Sequence, residues 1–115
     1  MMSIPIRIRS AFSPSEALDR HVERCVETAV RSHSRHIRHV DVHLSDDNGP
    51  RRGPDDKVAV IEIALHPFGE VVTRAKSSDA YESVRKAAST AKRALARQAA
   101  RLVKRRPGRE PLEAA

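Results

Sequence analysis

Four segments of the chain alternate between apolar and polar residues, and this period of two is typical of β-strands. The first reads IPIRIR, in which Ile4, Ile6 and Ile8 share one side and two arginines share the other. Pro5 cannot donate a hydrogen bond to a neighbouring strand, so it suits a strand start or an edge. The predicted strands cover residues 4–9, 39–45, 57–67 and 71–76.

Two further segments repeat their apolar residues every three or four positions, which predicts amphipathic helices. SPSE begins the first, with Ser13 as N-cap, Pro14 at the first helical position and Glu16 completing a capping box. Its apolar stripe consists of Leu18, Val22, Cys25 and Ala29. The second helix begins near SSDAYE, with Ser77, Ser78 or Asp79 as its cap, and ends before Pro107 and Gly108.

The predicted order of elements is therefore β-α-β-β-β-α. The helical connection between the first two strands indicates a parallel, right-handed crossover, whereas short connections such as 68–70 predict hairpins. We expect an α+β fold, a four-stranded sheet with two helices packed on one face. Residues 1–106 form one domain in this interpretation, with a mobile Gly/Pro-rich loop at 46–56 and a short flexible tail at 107–115.

The last helix is unusually basic. Residues 85–106 include nine Lys or Arg and no acid, in a chain of formal charge +7 and pI near 10.5. Like charges at i,i+4 spacing repel, and an ordinary solvated face would include glutamates to relieve this repulsion. The pattern therefore favours a polyanion-binding face, and structured RNA and duplex DNA are equally compatible with it. The apolar side of the helix is thin: Tyr81, Val84, Ala88, Ala91, Leu95 and Leu102.

Residues that suggest catalysis or metal binding are sparse. His33, His36 and His39 have helical spacing, but no cysteine pair or carboxylate cluster accompanies them, so we predict no metal site. Cys25 fits a buried core thiol better than a nucleophile, for which His21 is the only local base. We expect no enzyme activity, cofactor or small-molecule substrate. No apolar run is long enough to span a membrane, and a single cysteine suits a reducing compartment, so we predict a cytoplasmic protein with no membrane partner.

Three strings resemble one known family. They are FSPSEALDRHVE at 12–23, EVVTRAKSSDAYESV at 70–84 and KRALARQAARLVKRR at 92–106. The second is similar to the family's final strand running into Asp-x-Tyr-x-x-Ile, with Asp79, Tyr81 and Val84 at those positions. Over residues 4–106 the chain resembles the ribosome hibernation promoting factors, also called ribosome-associated inhibitors or sigma-factor modulation proteins. It departs from them at Arg85, where the family usually has an acid.

The resemblance implies a fold similar to double-stranded-RNA-binding domains. It also implies binding to rRNA of the small ribosomal subunit, in the channel for mRNA and tRNA, which inhibits translation and promotes hibernation under stress. Since the chain ends at Ala115, it resembles the short form, without the C-terminal domain that pairs ribosomes. The candidate RNA-binding residues are Arg85, Lys86, Lys92, Arg93, Arg97, Arg101 and Lys104, with Arg20, Arg24, Arg31, Arg35, Arg74 and Lys76 as further candidates. The alternatives are a general binder of structured RNA or DNA, and a regulator that binds other proteins.

Overall fold

The computed structural model describes residues 4–46 and 56–104, with side chains up to Arg101. Its elements are β1 (Ile6–Ser10), α1 (Glu16–Val30), a 3-10 helix (Arg31–His36), β2 (Ile37–Asp46), β3 (Lys57–Leu65), β4 (Glu70–Ser77) and α2 (Ala80–Lys104). This is the predicted β-α-β-β-β-α order. Most of the predicted mobile loop at 46–56, including Arg51 and Arg52, and the whole predicted tail at 107–115 lie outside the described residues.

The strands form one sheet in the order β1-β2-β3-β4. The β1 and β2 strands are parallel, as the helical crossover predicts, with Ile6 opposite Val40. The other two pairs are antiparallel hairpins, and β2 carries an irregularity in register between Ile37 and His39. The turn between β3 and β4 closes with a hydrogen bond from the Leu65 backbone NH to the Gly69 carbonyl, at 2.9 Å. Gly69 has a φ of +104°, a region that favours glycine.

One face of the sheet carries the core. Because side chains alternate along a strand, every second residue points toward the helices. Both helices lie on this face: α2 packs against β3, β4 and α1. The buried sheet residues are aliphatic except for Thr73 and Ser77 of β4, and the helices bury the aliphatic side of each stripe. The core includes Val22, Val26, Val30, Val40, Val42, Leu44, Ile61, Ile63, Leu65, Val84, Ala87, Ala91 and Leu95.

Alanines let α2 lie close to the sheet. Ala87 and Ala91 are fully buried, and Ala88 and Ala99 are nearly so. The Thr73 hydroxyl of β4 donates to the Ala87 carbonyl at 3.0 Å, so strand and helix are also joined by a buried hydrogen bond. At these alanine positions a larger side chain would have to displace its neighbours, because protein interiors are close-packed.

The helix starts differ in part from the predictions. The N-cap of α1 is Ser15, whose hydroxyl accepts from the Leu18 backbone NH at 3.1 Å, so the prediction of Ser13 and Pro14 in these roles is wrong by two residues. Ser15 itself is extended, with a φ of −148°, so the helix begins after it. At α2, Asp79 is the cap of the three predicted, since its carboxylate accepts from the Tyr81 backbone NH at 3.1 Å.

No helix within the described ranges is long and apolar enough to cross a membrane.

Candidate nucleic-acid interface

The exposed side of α2 is a row of cations. Between Ser83 and Arg101 the helix contains no acid, and its described Lys and Arg side chains are all exposed: Arg85, Lys86, Lys92, Arg93, Arg97 and Arg101. Of these six, Arg85 alone contacts a carboxylate of a described residue, that of Glu82, at 3.3 Å. Arg93 and Arg101 donate to the neutral side chains of Ser89 and Gln98. Most of this positive charge therefore has no counter-charge among the described residues.

On one side of this row, α2 and α1 enclose a groove of about 380 Å³. Its rim carries three cations, Arg24 from α1 and Arg85 and Lys92 from α2. No carboxylate of the described residues lies within ion-pair distance of Arg24 or Lys92. We call this the α1–α2 groove.

On the other side, α2 and the edge strand β4 enclose a second groove, of about 450 Å³. Its cations are Lys76, Arg85, Lys86 and Arg93, and Ser89 and Thr90 contribute hydroxyl groups. The Lys86 ammonium lies 3.5 Å from the Lys76 carbonyl, which brings helix and strand together at the edge of the sheet. Since Arg85 and Ser89 line both grooves, α2 forms a ridge between two basic grooves, and we call its exposed side the α2 crest.

The other candidate residues are dispersed. Arg20 pairs with Glu16 at 3.2 Å on the exposed side of α1. Arg31 and Arg35 lie in the 3-10 helix that follows α1 and contacts α2. Arg74 is exposed on β4 opposite Val60, on the face away from the helices, and lines neither groove. The side chain of Lys104 lies outside the described residues.

Tyr81 is a correction to the predicted core. It is 39 % exposed, although helical spacing placed it on the apolar stripe. Its ring contacts the His21 ring with centroids 4.9 Å apart, and an imidazole nitrogen of His21 lies 2.9 Å from the Tyr81 carbonyl. Two aromatic rings thus lie side by side where α1 meets the start of α2. No local sequence motif predicts this contact, because the two residues are sixty positions apart.

Cys25 is half-buried, so its prediction as a core thiol is only partly right, and it lines the α1–α2 groove. Its Sγ lies 3.6 Å from the His21 imidazole. Burial raises the pKa of the Cys25 thiol, and the nearby Arg24 and Arg85 oppose this shift. The dominant effect keeps the thiol protonated, which is the opposite of what an activated nucleophile requires.

The three histidines considered for metal binding do not share a helix. His33 and His36 are in the 3-10 helix, and His39 is in β2 beside Asp41. Within the part of the chain that is described, no three His, Cys, Asp or Glu side chains form a metal-binding group.

Comparisons with known proteins agree with this architecture. A ribosomal subunit interface protein from Coxiella burnetii has a TM-score of 0.70 to this chain at 16 % identity, covering 84 % of this chain and 99 % of that one. The N-terminal domain of Protein Y from Thermus thermophilus has a TM-score of 0.63 at 21 % identity, covering 84 % and 98 %. At these identities the likeness establishes the fold. No curated protein sequence matches the chain.

The family model described as Sigma 54 modulation protein / S30EA ribosomal protein matches residues 6–103, which include every described strand and helix except the last residue of α2. Members are ribosome-associated factors and not enzymes, in agreement with the prediction of a non-enzymatic protein. The chain belongs to the sigma-54 modulation protein / S30EA ribosomal protein family.

Proposed function

We propose that this protein is a cytoplasmic translation inhibitor that binds rRNA of the small ribosomal subunit through α2. In this proposal it occupies the channel for mRNA and tRNA and promotes ribosome hibernation under stress. The membership of the family supports association with ribosomes. The exposed cations of α2 form the binding surface in this proposal.

The observation that carries the proposal is the unneutralised cationic row on α2. From Lys86 to Arg101 the helix rises by about 22 Å. Its exposed cations form a single ion pair with the carboxylates that the structure describes, that of Arg85. These cations are Arg85, Lys86, Lys92, Arg93, Arg97 and Arg101. Such spacing suits contacts with several phosphates along an RNA backbone, each of which releases bound counterions.

The shape of the surface favours structured RNA. The α2 crest projects between the two basic grooves of the protein. It can therefore follow a phosphate-lined groove of the RNA while cations on both flanks contact the RNA backbone. Arg24 extends this surface onto α1, and Lys76 extends it onto the edge of the sheet. Arg31 and Arg35 are further contributors from the 3-10 helix beside α2. Arg20 and Arg74 are the weakest candidates, because one is ion-paired and the other lines neither groove.

The test is co-sedimentation of the purified protein with small ribosomal subunits at several salt concentrations. The variant Arg93→Glu/Arg97→Glu reverses two charges on the crest. Its matched control, Arg9→Glu/Arg38→Glu, makes the same change of net charge at exposed positions of β1 and β2. Wild type and control should co-sediment near one to one, and a smaller fraction of the crest variant should co-sediment at every salt concentration.

Salt dependence gives the number of phosphate contacts. Each contact adds about 0.7–0.9 to the slope of log affinity against log salt concentration, so the crest variant should lower this slope by about 1.5. If both double variants weaken binding equally, net charge and not the α2 surface determines affinity. If wild type binds arbitrary RNA or DNA duplexes as tightly as subunits, the protein is a general nucleic-acid binder.

A further inference from the structure

The α1–α2 groove has an apolar floor beneath its cationic rim. The floor is formed by Cys25, Ala29 and Ala88, with Thr28 at its side. Phosphate contacts need cations but gain nothing from apolar atoms, whereas apolar surface exposed to water favours a ligand that covers it. The volume of about 380 Å³ is within the range of pockets that hold small organic groups.

A nucleotide combines both kinds of surface. Its phosphate is an anion that guanidinium and ammonium groups bind, and its base is a flat ring with apolar faces. We propose that the α1–α2 groove binds one unpaired nucleotide of an RNA strand, with its phosphates on Arg24, Arg85 and Lys92 and its ring against the floor. This inference rests on the proposed function, and it specifies which feature of the RNA the groove recognises.

The surroundings of the groove favour a strand over a free nucleotide. Cys25 on the floor lies 3.6 Å from His21, whose ring contacts that of Tyr81. Tyr81 is partly exposed and lies on α2 one helical turn before the rim residue Arg85. At this position it offers a stacking surface to the next base. The crest cations on α2 continue beyond Lys92, so they can hold the adjoining backbone.

Thr28 allows a test that leaves the charges in place. It is exposed, lines the groove and lies on α1. Thr28→Leu places a larger side chain at the side of the groove and narrows it above the floor, whereas the matched control Thr28→Ala leaves it open. Leucine and alanine are both better helix formers than threonine, so both variants should fold. Circular dichroism of both variants confirms this before binding is measured.

The measurement compares two RNA hairpins of equal length by fluorescence anisotropy. One has a bulge of two unpaired nucleotides, and in the other these nucleotides form one more base pair. Wild type and Thr28→Ala should bind the bulged hairpin about tenfold more tightly, the effect of covering the apolar floor, and Thr28→Leu should lose this preference. The bulged hairpin should also slow alkylation of Cys25, the sole cysteine of the chain, more than the paired hairpin does.

Equal affinity of wild type for the two hairpins would overturn the inference, as would an unchanged preference in Thr28→Leu. It also falls if neither hairpin binds while small subunits do, or if free adenosine monophosphate protects Cys25 at the concentrations at which RNA does. In each of these cases binding to subunits, measured separately, decides the proposed function. A bulge preference without subunit binding would keep the inference for the groove and refute the ribosomal function.

Discussion

Replacing Ala91 by leucine tests whether α2 lies as close to its neighbours as the structure indicates. Ala91 is fully buried in the core. If the spacing is close-packed, the additional carbons displace the helix or strain side chains, at a cost of about 1–3 kcal/mol in the free energy of unfolding. If spare room existed, the same carbons would be buried and would stabilise the fold by about 0.8 kcal/mol per methylene. The two possibilities differ in sign.

The matched control is Ala96→Leu, which makes the same chemical change at an exposed position one and a half turns further along α2. Alanine and leucine have similar helix propensities, so this control should change stability by less than about 0.5 kcal/mol. Urea denaturation followed by circular dichroism measures both variants. In thermal unfolding followed by the same signal, the melting temperature of Ala91→Leu should fall by roughly 4–8 °C for each kcal/mol lost from the free energy of unfolding. A stability of Ala91→Leu equal to or above that of Ala96→Leu would refute the close approach of α2.

Three further outcomes are expected. Ser15→Ala should lower the free energy of unfolding by about 1 kcal/mol, and Ser13→Ala should leave it unchanged within error, because Ser15 caps α1; equal losses would contradict the cap. Thr73→Val removes the hydroxyl that donates to α2 and should cost about 1 kcal/mol, measured by the same urea titration; no loss would show that this hydrogen bond adds nothing. Because burial raises the pKa of Cys25, the alkylation rate of Cys25 should increase with pH along a curve that lies at higher pH than that of an exposed cysteine. Arg24→Ala should move this curve to still higher pH, because it removes a cation that stabilises the thiolate. A shift of the curve to lower pH in Arg24→Ala would refute this electrostatic account.

The sheet was predictable because alternation of apolar residues is a local property. The four strands lie where the period of two placed them, with ends that differ by one or two residues. Their pairing agrees with the connections, since parallel strands require a crossover such as the helical segment between β1 and β2, and the short turn between β3 and β4 suits a hairpin. The exact helix starts were less accessible, because Ser13 and Ser15 both satisfy the sequence pattern for a cap and only the backbone geometry selects Ser15.

The interior faces of the helices were predicted incompletely for a related reason. A stripe read every three or four residues included Leu18 and Val22 but omitted Val26 and Val30, which are buried. On α2 it omitted Ala87 and Ala99. The α2 helix contacts both the sheet and α1, so its buried surface is wider than one stripe. The buried residues of α1 belong to the same core cluster as those of the sheet. Tyr81 shows the opposite case, since its position is on the stripe but it extends past the edge of the core toward His21.

In the candidate site, too, the features local to one helix were predictable and those that depend on packing between elements were not. The cations of α2 were predictable because a charge row on one helix needs only helical geometry, and their exposure follows from the burial of the opposite side. The two grooves were not predictable, because they depend on which elements lie on either side of α2. Arg24 joins the site because α1 lies beside α2, whereas Arg20, one turn away, is ion-paired to Glu16. Likewise Lys76 joins it from the edge of β4, while Arg74, two residues earlier, does not. Charge therefore identifies the candidate helix, and packing determines which neighbouring cations share its surface.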